Sequence, residues 1–137
     1  MVKFLGMKKM LNIPSKIENL SLVEKAVDDI SSKYNLNSEL YGNILIATIE
    51  AANNAILHGN KLDNSKNVNI VFNLENKFLT VTIMDQGQGF DFNNIPDPTS
   101  PENIEKINGR GIFLMERLAD QLKFYDNGRK VELVFNL

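Results

Sequence analysis

The chain has 137 residues, with 15 Lys and Arg against 17 Asp and Glu for a formal net charge of −2. That balance excludes nucleic-acid binding driven by bulk positive charge, and the absence of cysteine excludes disulfides, thiolate metal sites and cysteine nucleophiles together. The length suits one domain, 1–137, with its own core; no run approaches the ~20 apolar residues of a membrane span, the first residues lack a signal-peptide apolar stretch, and a cytoplasmic location is expected.

Residues 10–14 alternate apolar and polar, which predicts a short strand stopped by Pro14. Ser15 with Glu18 three residues on has the form of a capping box. It predicts a helix carrying Ile17, Leu20, Val23, Val27 and Ile30 and ending near residues 33–35. Asn37 or Ser38 opens a second, longer helix that runs to about His58 and stops at Gly59. Residues 68–74 and 78–84 alternate at period two, so 75–77 is expected to be a tight hairpin turn. The pattern breaks over 85–109, which holds three of the four prolines, Pro96, Pro98 and Pro101. Residues 86–108 are therefore expected to form a functional lid. A helix over 111–119 follows, then a hairpin of 122–125 with 131–135, with Asn127-Gly128 at the centre of a type I′ turn. This order predicts an α+β two-layer sandwich, a mixed, mostly antiparallel sheet with helices on one face.

Three constellations could carry chemistry. On the second helix, Leu45, Ile49, Ala52 and Ile56 share a face expected to pack on the sheet, and Asn43, Ala47, Glu50, Asn54 and His58 share the opposite one. Glu50 and Asn54 are stacked neighbours four apart, a carboxylate beside a carboxamide that suits water activation next to an oxygen-seeking cation such as Mg²⁺. A solvated polar face is the alternative. Asp85-Gln86-Gly87-Gln88-Gly89 leaves an apolar strand. Its glycines admit a flat ligand and its Asp can accept from an exocyclic amine, the alternative being a glycine-rich turn. Asn108-Gly109-Arg110-Gly111-Ile112 stands where the lid meets a helix. It is either an anion site of free amides with a cation beside them or a capped helix with a glycine hinge. No P-loop, no Gly-x-Gly-x-x-Gly and no Gly-x-Ser-x-Gly occurs.

Taken together, these runs resemble a known family. Residues 50–59, Glu50-Ala51-Ala52-Asn53-Asn54-Ala55-Ile56-Leu57-His58-Gly59, resemble the N box of the gyrase and histidine-kinase type ATPase superfamily (GHKL, the Bergerat ATP-binding fold). Asp85-x-Gly87-x-Gly89 is similar to its G1 box and Gly109-Arg110-Gly111-Ile112 to its G2 box. The short form, with Phe90-Asp91 and Pro96-Asp97-Pro98, resembles the anti-sigma factor serine/threonine kinases. The resemblance implies a role for each residue. Glu50 would be catalytic, positioning or deprotonating the nucleophile, and Asn54 would ligate Mg²⁺. Asp85 would bind the adenine amine, Gly87 and Gly89 would shape the adenine pocket, and Gly109, Arg110 and Gly111 would meet the phosphates of ATP. It further implies transfer of the γ-phosphoryl group to a Ser or Thr of a STAS-type anti-anti-sigma protein, a sigma factor as a second partner, no direct nucleic-acid or membrane contact, and a homodimer. Two other readings stay open: a nucleotide-dependent binding switch of the same fold without transfer, and an interaction module with a vestigial pocket.

Overall fold

The computed structural model describes residues 6–89 and 107–137, the side chains of 107–110 excepted. Five strands, β1 (Met7–Pro14), β2 (Asn67–Glu75), β3 (Phe78–Met84), β4 (Gln121–Tyr125) and β5 (Lys130–Asn136), form one sheet in the order β1-β2-β3-β5-β4. Every described pairing is antiparallel. Helices α1 (Leu20–Tyr34), α2 (Ser38–Asn54) and α3 (Ile107–Leu118) make the second layer, with α2 in contact with both of the others. The α+β sandwich read from the sequence is the fold observed.

Period-two alternation puts Ile70, Phe72 and Leu74 of β2, Leu79, Val81 and Ile83 of β3, and Val131, Leu133 and Phe135 of β5 on the helix-facing side, all buried. Burying a side chain of this size stabilises the fold by about 1.5–3 kcal/mol. The opposite face carries Asn69, Asn73, Thr80, Thr82 and Glu132, the one-sided pattern of an antiparallel sheet with a wet face. In the β2–β3 hairpin Glu75 pairs with Phe78, and Asn76 takes the left-handed conformation, φ 57°, that the turn requires. The β4–β5 turn is left-handed at Asp126 (φ 53°), Asn127 (φ 56°) and Gly128 (φ 86°). Its tight part therefore begins one residue before the expected Asn-Gly centre.

Four other expectations need correction. Strand β1 starts at Met7 and not at Met10, because its ladder with β2 reaches Met7 opposite Leu74; Lys9 lies inside that ladder and meets Asp29 of α1 at 3.4 Å. Ser15 caps no helix. It is fully buried, and its hydroxyl donates to the carbonyl of Lys66 at 2.6 Å. A 3₁₀ turn, Ile17–Asn19, intervenes before α1, and no side chain caps either element. Third, α3 begins at Ile107, so Gly109 lies within the helix and not ahead of it, and Gly111 lies past the first turn and not at the start. Residues 90–106, most of the expected lid and its Phe90, Asp91 and proline motifs, lie outside the described residues.

The last correction concerns α2. Asn37 is its N-cap, accepting from the Leu40 amide at 2.8 Å, and after Asn54 a π-helical turn, Ala55–Gly59, carries the chain on. Its buried residues are Ile44, Ala47, Thr48, Ala51 and Ala52, while Leu45 and Ile49 are only half-buried. A helix held by a sheet and two flanking helices buries more than one stripe, and this claims Ala47, expected beside the ligand. Ala47→Leu should therefore overpack the core and destabilise the fold by about 1–3 kcal/mol, measured by urea unfolding. A solvent-facing Ala47 would give no loss.

Candidate ATP-binding site

The C-terminal half of α2 brings Glu50 and Asn54, both half-buried, against α3. Gly111 is the point of contact. A Cβ there would lie 2.9 Å from Asn54 Nδ2 and 3.2 Å from Glu50 Oε2. Gly111 is glycine because a neighbouring helix arrives at that point, a reason different from backbone freedom. The N-box and G2-box residues singled out in the sequence therefore share one place in the structure. Asn54 Oδ1 is buried and has no hydrogen-bond partner among the described residues, whereas buried acceptors are nearly always satisfied. A hard oxygen-seeking ion brought in with phosphates fits such an atom, since Mg²⁺ is usually held by one or two protein oxygens with substrate and water supplying the rest. No cluster of three or more His, Cys, Asp or Glu suited to a metal occurs among the described residues, so a cation here would depend on the nucleotide for its other ligands.

Beside these residues lies a cavity of about 130 Å³. Its walls are mainly apolar: Ala51 and Ala55 from the end of α2, Ile83 from β3, Ile112 and Met115 from α3, and Val131 from β5. Asp85, His58 and Arg129 supply its ionisable groups. An apolar cleft with a few convergent polar groups is the usual form of a small-molecule site. The flat face of a purine suits the alanines and branched side chains, and a single acid suits its amine.

Asp85 is fixed at the exit of β3. Its N–H donates to the carbonyl of Arg129 at 2.9 Å, and its Oδ1 accepts the Gly87 N–H at 2.8 Å. Burial pushes its carboxyl above the ordinary value; the Gly87 amide and the Arg129 charge oppose this in part. The glycines around it are packing requirements. A Cβ on Gly59 would strike the Asp85 carboxylate, and one on Gly87 would strike the carbonyl of Gly59. Gly89, at φ 83°, passes so close to the Asn127 carbonyl that no side chain fits. The loop after β3 is therefore threaded between the π-turn and the β4–β5 turn. Arg129 ties that loop down, donating to the Gly87 carbonyl at 3.3 Å and pairing with Asp126 at 3.2 Å. The His58 ring is lowered in pKa by burial, which favours its neutral form.

Of the expected site residues, Glu50, Asn54 and Gly111 are in one cluster, Asp85 and Gly89 line the adjoining cavity together with Asn54, and Gly87 packs behind Asp85. Gly109 lies in the first turn of α3, where amides lack a partner inside the helix. Gly111 lies beyond it. The Arg110 side chain is outside the described residues. Sequence reasoning missed Asn60 and Arg129. A polar residue after glycine reads as a turn former, and no local pattern marks an arginine at a strand entry as part of a pocket.

The model of the histidine kinase-like ATPase domain matches residues 13–135. The chain belongs to this family. Among its curated relatives, a serine-protein kinase RsbW of Listeria innocua is 30% identical over 128 residues, covering 88% of this chain and 82% of that one. The serine-protein kinase RsbW of Oceanobacillus iheyensis is 28% identical over 119 residues, covering 82% and 75%, and that of Bacillus licheniformis is 29% identical over 127, covering 88% and 79%. The match runs from the end of β1 into β5 and so includes every residue that walls the cavity. No helix among the described residues is long and apolar enough to cross a membrane.

Because the folded-state pKa of Asp85 is raised, the folded protein holds a proton that the unfolded chain gives up at the ordinary carboxylate value. Stability from this group is therefore present at low pH, falls as pH rises from the unfolded to the raised folded value, and stays reduced above it. Asp85→Asn should flatten this slope and raise the neutral-pH melting temperature by roughly 1–4 °C, followed by calorimetry from pH 3 to 8. ATP affinity should fall about tenfold or more in the same variant, because the amide can present a donor to the purine amine.

Proposed function

We propose that this protein is an ATP-dependent serine/threonine kinase of the anti-sigma type. It transfers the γ-phosphoryl group of ATP to a Ser or Thr of a STAS-type anti-anti-sigma protein, and thereby controls sequestration of a sigma factor. The observation that carries the reading is the meeting of Glu50, Asn54 and Gly111 at one end of a purine-sized apolar cavity with Asp85 among its walls. The kinase names of the relatives support the reaction class. The resemblance of the short form to the anti-sigma factor kinases supports the partners, a homodimer and a cytoplasmic setting.

In this reading Asp85 accepts from the adenine amine, and Gly87 and Gly89 keep the loop close enough to cover the base. Asn54 would hold Mg²⁺ through its Oδ1, which has no hydrogen-bond partner among the described residues, and the ion would supply charge neutralisation at the phosphates. The Gly109 amide faces the phosphates from the first turn of α3, Arg110 adds a cation there, and Gly111 admits the helix to Glu50 and Asn54. Glu50 holds the acceptor hydroxyl and takes its proton as that oxygen bonds to the γ-phosphorus and the bond to the ADP oxygen breaks. Catalysis is then positioning and electrostatic stabilisation, the general logic of phosphoryl transfer.

Two substitutions separate binding from chemistry. Glu50→Gln should bind Mg-ATP within about threefold of the parent and lose transfer by about 10²-fold or more, the usual worth of a positioned base. Asn54→Ala should lose the Mg²⁺-dependent part of ATP affinity. The readouts are calorimetry with and without Mg²⁺ and transfer of labelled phosphate to the STAS-type protein encoded in the same cell. Unaltered transfer by Glu50→Gln would remove Glu50 from the chemistry. ATP binding by the parent with no transfer would leave a nucleotide-dependent binding switch.

A further inference from the structure

We infer that Asn60 is the positioning residue for adenine recognition: it holds the loop that carries Asp85 through a buried hydrogen-bond network that reaches the base-reading acid by way of the Gln86 backbone. The inference deepens the proposed ATP site and rests on Asp85 reading the purine amine.

Asn60 follows the π-turn, and its side chain is 1% exposed. Both donors of its side-chain amide are used, and its carbonyl oxygen has a partner as well. Nδ2 donates to Ser15 Oγ at 2.9 Å and to the Asn67 carbonyl at 3.0 Å. Oδ1 accepts the Gln86 amide at 2.7 Å. The network closes around it: Ser15 Oγ donates on to the Lys66 carbonyl at 2.6 Å, and Gln86 Oε1 accepts the Asn67 amide at 2.7 Å. Asn60 thus joins the end of β1, the start of β2 and the exit of β3. Its own N–H donates to the Ala55 carbonyl at 2.8 Å, which ties the network to the π-turn.

Asn60 is not among the residues lining the cavity, so it acts on the ligand only through what it holds. What it holds is the peptide immediately after Asp85. A carboxylate that must meet one amine needs its backbone fixed on both sides. The Arg129 carbonyl fixes the Asp85 amide and Asn60 fixes the next one. Only asparagine combines two donors and an acceptor at this length. Aspartate keeps the acceptor and loses both donors, and leaves a buried charge facing the Asn67 carbonyl.

The test compares ATP with inosine triphosphate, which has a 6-oxo group in place of the amine, in the presence of Mg²⁺ by calorimetry. The parent should prefer ATP by about tenfold or more. In Asn60→Asp and Asn60→Ala this preference should fall below about threefold, chiefly through loss of ATP affinity, with inosine triphosphate binding within about twofold of the parent. Ser15→Ala removes both hydrogen bonds of the Ser15 hydroxyl and keeps the Asn60 bonds to Asn67 and Gln86. It should give a smaller loss of preference and is read if the Asn60 variants do not fold. Folded variants of Asn60 that keep the parental ratio, or Ser15→Ala keeping it where only that variant folds, overturn the positioning role; this includes variants in which both nucleotides weaken together as the melting temperature drops. A parent that binds both nucleotides alike overturns the Asp85 assignment and this inference with it. A parent that discriminates while the variants do so equally overturns this inference alone.

Discussion

Helix α2 meets the sheet on one side and α1 and α3 on its flanks, and it does so with small side chains. Ala47, Ala51 and Ala52 of α2, with Ala55 in the π-turn that follows, are all buried. Alanines let the neighbouring backbones come close, and Gly111 on α3 completes the approach. This close packing decides what the site can be. It draws Glu50 and Asn54 away from solvent without burying them in the core, and it leaves room beside the alanines for a cavity walled by Ile83, Ile112, Met115 and Val131. Larger residues on the same helix would fill the cavity and push α3 outward. The site is in this sense the space left by small residues in a layer otherwise packed with isoleucine, leucine and valine.

The polar side of the cavity works against stability. Asp85 is partly buried with its pKa raised, so its charge at neutral pH is held against a desolvation cost. One amide and the field of Arg129 recover part of it. Asn54 keeps a buried oxygen with no partner among the described residues, and a buried acceptor left so costs about 1–3 kcal/mol. Both groups would gain from a nucleotide with a cation: the acid a donor to bind, the amide oxygen an ion to ligate. A folded protein that carries such deficits side by side is poised to be stabilised by ligand, since binding to the native state alone shifts the folding equilibrium by mass action.

Much of this was legible from residue spacing. The β2–β3 hairpin follows from strict alternation and a short polar turn, and the stacking of Glu50 on Asn54 follows from helical period alone. Asp85 at the exit of an apolar strand was visible as an acceptor, and the motif order pointed to the fold. What failed did so where one residue type serves two purposes. Alanine packs in a core as well as beside a ligand, so the face of α2 was assigned to a single stripe although the helix has several buried sides. Glycines at 109 and 111 read as helix breakers, yet α3 runs through them because at Gly111 the close approach matters more than helix propensity. Ser15 and Glu18 have the spacing of a capping box, but Ser15 is still part of the sheet edge, its amide bonded to Lys66. Asn60 and Arg129 act mainly through contacts 26 to 45 residues away, and no local pattern encodes such partners.

The segment after Asn60 shows why a buried network belongs at this corner. Lys61 and Leu62 are both left-handed, with φ of 52° and 59°, and neither is glycine or asparagine. Such residues are disfavoured by roughly 1–2 kcal/mol each and persist only where the surroundings over-determine the backbone. Here the surroundings do. The Leu62 amide reaches back to the Ile56 carbonyl at 2.9 Å and the Asp63 amide to the Asn60 carbonyl at 3.0 Å, while the Asn60 side chain holds both neighbouring strands. At about 0.5–1.5 kcal/mol per bond these contacts are of the size needed to offset two left-handed residues. The chain thereby turns sharply after the π-turn and returns into β2, and none of residues 60–66 lines the cavity. A looser return would let residues 60–66 lie over Gly59, the surface against which the Asp85 carboxylate is packed.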